Sequence, residues 1–164
     1  MNIEIILTGS FGVGKSSLFN RFIYEDFNDK YYGTIGVRVN ERKLKVKETP
    51  IGLKLWDVAG EVKQEKVPLN YFDGKDMVLY VIDLSRPFTF TNVPNDIAYI
   101  KNVAPNSALR VVGNKKDILK PEKLSKLQNE IPFQFDFLTS AKTGEGVEDL
   151  FLSIAKEQIS ISIK

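Results

Sequence analysis

The sequence predicts an α/β domain: a six-stranded, mostly parallel sheet with one antiparallel edge strand and helices on both faces. Three observations carry this. Short apolar runs alternate with segments whose apolar residues recur at helical spacing. The run Met77–Leu84 (MVLYVIDL) is apolar almost throughout, as expected of a strand buried on both faces. Two strand-like segments, Val37–Val46 and Ile51–Val58, are joined by only a short turn, so that pair has to be antiparallel.

The elements follow in order. Ile3–Leu7 reads as a buried strand running into a glycine-rich turn. Lys15–Tyr24 carries Leu18, Phe19, Phe22 and Ile23 at helical spacing. Asp26–Gly36 is polar and aromatic without a period and reads as a loop. Lys47-Glu48-Thr49-Pro50 marks the turn between the next two strands. A loop and a short helix are expected over Glu61–Phe72. After the strand at 77–84, a helix is expected over Pro94–Val103, with Pro94 tolerated only in its first turn. Leu109–Gly113 is a further buried strand, Pro121–Glu130 a short helix and Phe133–Leu138 the last strand. Val147–Ile159 closes the chain with Val147, Leu150, Phe151, Ile154 and Ala155 on one helical stripe.

The chain has 164 residues, which suits a single domain over 1–164. Its 43% hydrophobic residues are enough for one core. The 23 basic and 21 acidic side chains are too evenly balanced for a nucleic-acid binder. With no cysteine and no histidine, thiol chemistry, zinc–thiolate sites and Ser–His–Asp triads are excluded. No apolar run approaches the ~20 residues of a membrane span. The N-terminus lacks a signal-peptide pattern, and no myristoylation glycine or prenylation cysteine is present, so a cytoplasmic chain with no direct lipid anchor of its own is expected.

Gly9-Ser10-Phe11-Gly12-Val13-Gly14-Lys15-Ser16 matches G-x-x-x-x-G-K-[ST] in full, between a strand and a helix. Glycines let backbone N–H groups turn inward as an anion nest. Lys15 neutralises the outer phosphates, the Ser16 hydroxyl ligates magnesium, and the helix points its positive end at the anion. This motif alone does not separate GTP from ATP. Asn114-Lys115-Lys116-Asp117, after the strand at 109–113, addresses the base. The Asp117 carboxylate can accept from the ring N–H and the amino group of guanine. Adenine lacks that donor pair and would leave the carboxylate unpaired, at a cost. The stem of Lys115 can lie on the base plane. In Ser140-Ala141-Lys142, the Ala141 N–H could donate to the guanine oxygen.

The order GSFGVGKS, YYGTIGV, WDVAG, GNKKD and TSAKTGEGVEDLF resembles the Ras superfamily of small GTPases over nearly the whole chain. Within it, YYGTIGV and LWDVAGE are most similar to Rab-like members. The resemblance implies a P-loop NTPase G domain that binds GTP and GDP with Mg2+. It implies nucleotide contacts from Phe11, Gly12, Val13, Gly14, Lys15, Ser16 and Ser17 around the phosphates, and from Asn114, Lys115, Asp117, Ser140, Ala141 and Lys142 around the base. It places Phe27 against guanine and Tyr31 over the phosphates. Ser16 and Thr34 would ligate the metal, with Asp57 holding it through a water. Lys15, Thr34, Gly60 and Glu61 would be the catalytic set, with the Gly60 N–H donating to the γ-phosphate. Loss of that phosphate would release loops 26–38 and 57–72, through which effectors, exchange factors and activating proteins would read the state.

Two positions depart from the family pattern. Glu61 stands where the family usually has the glutamine that orients the attacking water, so slow hydrolysis is expected. Gln64 or a partner residue could supply that function instead. Phe11 stands where the family most often has a small residue, and a large side chain there could obstruct an inserted arginine. Two other readings are a GTP-bound interaction module with little hydrolysis, and a P-loop kinase or ATPase. The last is opposed by Asp117 and by the lack of an inserted lid segment.

Overall fold

The computed structural model of the chain describes residues 1–28, 34–61 and 63–162. Its six strands are β1 (Asn2–Thr8), β2 (Val37–Val46), β3 (Thr49–Val58), β4 (Met77–Asp83), β5 (Ala108–Asn114) and β6 (Phe137–Leu138). They form one sheet in the order β2-β3-β1-β4-β5-β6. Every neighbouring pair is parallel except β2 and β3, so the expected antiparallel edge strand is β2.

Helices α1 (Lys15–Tyr24), α2 (Val93–Val103), α3 (Pro121–Glu130) and α4 (Val147–Ser162) cover the sheet. Side chains alternate across a strand, and the two faces of the core follow from that. Ile5, Leu7, Leu79 and Val81 face α1 and α4, where the Phe22 and Phe151 rings stack with centroids 3.9 Å apart. Ile6, Val78, Tyr80 and Ile82 face the other way, against Val93 and Ile100 of α2 and Leu127 of α3. All seven residues of β4 are buried, which explains its unbroken apolar run.

Local chemistry sets the ends of the elements. Pro94 lies in the first turn of α2, where a missing N–H costs no helical bond. A 3-10 segment, Pro87–Asn92, leads into that helix and was not legible in the sequence. The β2–β3 turn is tighter than the expected Lys47–Pro50. It uses only Lys47 and Glu48, with Lys47 at φ +52°. Pro50 falls inside β3 but beyond the β1 pairing, which begins at Gly52, so the ladder to β1 needs no N–H there.

The last strand is shorter than the expected Phe133–Leu138. Pro132 has no N–H to give, and Phe133 and Phe135 turn to pack on Phe90 and on each other, the closest centroids 5.5 Å apart. Only Phe137 and Leu138 remain in register with β5. The carboxyl ends of β1, β3, β4, β5 and β6 meet along one rim. In an open α/β sheet this is the rim where ligands bind.

Candidate functional site

A cleft of about 760 Å3 runs along that rim, from Ser16, Thr34 and Arg38 at one end to Asp117, Ala141 and Lys142 at the other. Its floor is the loop between β1 and α1. Five consecutive carbonyls of this loop are held by side chains. Lys15 Nζ donates to the carbonyls of Gly9 and Ser10, each at 2.9 Å. Arg86 Nη2 donates to that of Phe11 at 3.1 Å, Lys115 Nζ to Gly12 at 2.8 Å and Asn114 Nδ2 to Val13 at 3.0 Å. Side chains thus take up the loop's carbonyls, and an anion nest would be built from its N–H groups. Gly14 sits at φ +101°, and a Cβ there would come within 2.2 Å of Asn114 Nδ2. The approach of the loop to Asn114 therefore needs a residue with no side chain.

Burial lowers the pKa of Lys15 from 10.5 to about 8, against the opposing pull of Asp57 and Glu61. The supporting cations are anchored in turn. Asp83, at the end of β4 and 1% exposed, pairs with Arg86 at 2.9 Å and Lys115 at 2.8 Å. Burial alone would raise its pKa. The hydrogen bonds from Lys115 and Ser85 outweigh that and hold it below the usual carboxylate value. Sequence reasoning missed both Asp83 and Arg86; they sit at the end of a strand it had placed, which was the available signal.

The three expected metal residues converge. The Ser16 hydroxyl donates to Asp57 Oδ2 at 2.7 Å and lies 2.6 Å from Thr34 Oγ1. Asp57 is fully buried, and its Oδ1 has no hydrogen-bond partner among the described residues. Two hydroxyls and a carboxylate with an unmatched buried oxygen suit a hard divalent cation. Among the described residues no three carboxylates cluster, so such an ion would also need phosphate oxygens. Arg38, absent from the sequence expectations, also donates to Asp57 Oδ2, from Nε at 3.2 Å and Nη2 at 2.8 Å. The two residues are directly opposed in the β2–β3 ladder.

At the other end, Asp117 accepts from the Ser140 hydroxyl at 2.6 Å, which fixes the carboxylate in the cleft wall. Ser140 Oγ also accepts from the Thr143 N–H, while the Lys142 carbonyl accepts from Arg21. The Ala141 N–H is directed to Asn114 Oδ1 at 3.1 Å, an oxygen that Thr139 Oγ1 also approaches. A donation from Ala141 to a base oxygen would therefore compete with, or be shared with, Asn114. Phe27 and Ser17 line the cleft, and Phe27 packs on the edge of the core. Tyr31 lies outside the described residues.

Gly60 passes so close to the phosphate loop that a Cβ would fall 2.6 Å from Phe11 Cα and 2.9 Å from Lys15 Nζ. Glu61 is half-buried and close enough for its charge to act on Lys15. Phe11 is 55% exposed. Gln64 does not stand in for the expected glutamine. Its side chain is fully buried and bonded to the Thr8 hydroxyl, and its N–H donates to Asp96 Oδ1 at 3.1 Å. Tyr80 donates to the other oxygen of Asp96 at 2.6 Å. Gln64 thus joins its segment to β1 through the side chain and to α2 through the backbone N–H.

The Ras-family sequence model matches residues 4–160. The chain belongs to the Ras family. Among curated proteins it is 35% identical over 162 residues to the Ras-related protein RABE1e of Arabidopsis thaliana, covering 94% of this chain and 74% of that protein. It is 32% identical to Ras-related protein Rab-4 of Dictyostelium discoideum and 32% identical to Ras-related protein Rab-13 of Bos taurus. Each of those matches covers 94% of this chain and 78% of the relative. This Ras-family domain is therefore a Rab-like small GTPase, a GTP-binding switch. Among the described residues no helix is long and apolar enough to cross a membrane.

Proposed function

We propose that this Ras-family chain, one domain over 1–164, holds GTP or GDP with Mg2+ in the rim cleft and hydrolyses GTP slowly. The observation that supports it best is the joining of two halves of one site. Asn114 and Lys115, from the base motif, hold the Val13 and Gly12 carbonyls of the phosphate loop. A ligand with a guanine at Asp117 and phosphates at Lys15 would span the two. Ser16 and Thr34 would ligate the metal, with Asp57 holding it through a water. Phe11, Gly12, Val13, Gly14, Ser16 and Ser17 would line the phosphate end. Phe27, Ser140, Ala141 and Lys142 would surround the base.

The reaction is in-line attack of water on the γ-phosphorus. Lys15 and the loop amides would stabilise the developing charge, Gly60 and Thr34 would sense the γ-phosphate, and Glu61 would occupy the place of the water-orienting amide. A carboxylate accepts from water but cannot also donate, and its charge faces an anion, so the rate would be low. Loops 26–38 and 57–72 would present the nucleotide state to effectors, an exchange factor and an activating protein. Nothing in this reading calls for nucleic acid, and a cytoplasmic setting suits it.

The test is single-turnover hydrolysis of GTP bound with magnesium, beside the Glu61→Gln variant, with nucleotide retention followed throughout. A parent near background with a clearly faster variant supports Glu61 as a brake. A parent at ~10⁻⁴ per second or faster contradicts it. The position of Glu61 beside Lys15 also favours a second reading, an interaction module that keeps GTP and barely hydrolyses it. A parent rate at background selects that reading.

A further inference from the structure

Arg38, on β2, is seated by two elements at once. Its guanidinium lies over the Phe19 ring of α1, 4.7 Å from the centroid, and Nη1 reaches Asn20 Oδ1 at 3.3 Å. Its remaining donors fork onto Asp57 Oδ2 in β3. A planar fork with a stacking face suits this seat, and a lysine would fill it less well. Asp57 is fully buried, whereas the Arg38 side chain is 43% exposed. The arginine can therefore swing into solvent, and the carboxylate cannot leave with it.

The oxygen that Arg38 takes is the one to which Ser16 donates, and Ser16 lies against Thr34. Arg38 thus sits on the carboxylate that the nucleotide's divalent cation would use. A +2 ion and a guanidinium held at one carboxylate repel each other, and water cannot screen them well beside a buried group. We propose that Arg38 is an internal rival of the divalent cation for Asp57. Bound ion displaces the arginine, and the arginine returns to Oδ2 of the buried carboxylate when the ion departs. This rests on the nucleotide-binding reading above. Its consequence is weaker magnesium retention and readier release of nucleotide at low magnesium than the same domain would show without the arginine. Because the competition is reciprocal, whatever draws Arg38 off Asp57 tightens the hold on the ion by the same factor.

The experiment measures release of a fluorescent GDP analogue across a magnesium titration, for the parent and for Arg38→Met. Methionine keeps an apolar stem on Phe19 and removes the charge. The magnesium concentration giving half-maximal retention is expected to fall by about tenfold or more in the variant. Arg38→Lys, with charge but no fork, should lie between the two. Arg38→Gln carries the same test if the methionine variant is not recovered folded. Thermal melting gives a readout independent of release. The gain in Tm on going from chelator to magnesium, with GDP present, should be larger for Arg38→Met than for the parent. The chelated variant should lose stability, because the buried Asp57 carboxylate keeps only the Ser16 hydroxyl and loses its cationic partner. An unchanged or raised magnesium midpoint, together with an equal gain in Tm, overturns the inference. A parent that does not hold the analogue even in excess magnesium overturns the nucleotide-binding reading as well.

Discussion

Asn114 donates through Nδ2 to the Val13 carbonyl at 3.0 Å, across 101 residues of chain, and so ties the base motif to the phosphate loop. The same side chain accepts through Oδ1 from Thr139 and Ala141 and is 1% exposed. Replacing it strands a buried carbonyl, a hydroxyl and an N–H together. Asn114→Ala should cost about 1–3 kcal/mol of stability. GDP affinity should drop steeply as well, because both halves of the cleft lose their register. Thermal melting and GDP titration check it, and an affinity close to the parent's would separate Asn114 from the site.

Asp117 is held by Ser140 with its carboxylate in the cleft wall. Asp117→Asn replaces one acceptor by a donor. Binding of GTP should weaken by about 1–3 kcal/mol, since the base donors would meet an amide N–H. A purine with a carbonyl in place of the amino group, as in xanthosine triphosphate, should bind the variant better than it binds the parent. Competition against a fluorescent nucleotide reads both changes.

Lys15 carries a pKa near 8 from burial. The free protein is then partly deprotonated there above pH 8, and a bound phosphate, being anionic, restores the proton. Nucleotide binding at about pH 8.5 should take up protons, and affinity should fall as pH rises through 8. Titration calorimetry in two buffers of different ionisation enthalpy measures the uptake. Lys15→Arg, which stays charged, should abolish it. The stability effect has its own sign. The folded pKa lies below the unfolded 10.5, so this lysine penalises folding fully below pH 8. The penalty is relieved as pH rises from about 8 to 10.5.

Gly60 has backbone of the phosphate loop where a Cβ would go, 2.6 Å from Phe11 Cα. Gly60→Ala should push the second switch segment away from Lys15. GDP binding should be little changed, since the base and inner phosphate contacts lie elsewhere. Preference for GTP over GDP should fall, because the Gly60 N–H is the proposed γ-phosphate donor. The ratio of the two affinities decides this.

Much of the architecture is legible because period and composition agree. The buried run of β4 and the amphipathic stripe of α4 each follow from burial on known faces. The phosphate and base motifs are contiguous in sequence, so their residues can be named before their geometry is known. What escapes is chemistry assembled across elements. Arg38 meets Asp57 only in the register set by a turn at Lys47 and Glu48. A turn placed over Lys47–Pro50 would instead set Arg38 against Ala59. Gln64 reads as a stand-in for an amide three residues earlier in the chain, yet burial against Thr8 and Asp96 gives it a structural task. Phe133 and Phe135 carry a strand-like alternation that a proline and an aromatic cluster redirect.

The central claim is that one cleft selects guanine at Asp117 and holds phosphates at Lys15 with magnesium. Competition of GDP, GTP and ATP for the protein with a fluorescent GDP analogue, in magnesium, tests it most directly. The account predicts displacement by GDP and GTP at low concentration, and by ATP only at concentrations about a thousandfold higher or more. Equal displacement by ATP, or no retention of the analogue, would contradict it.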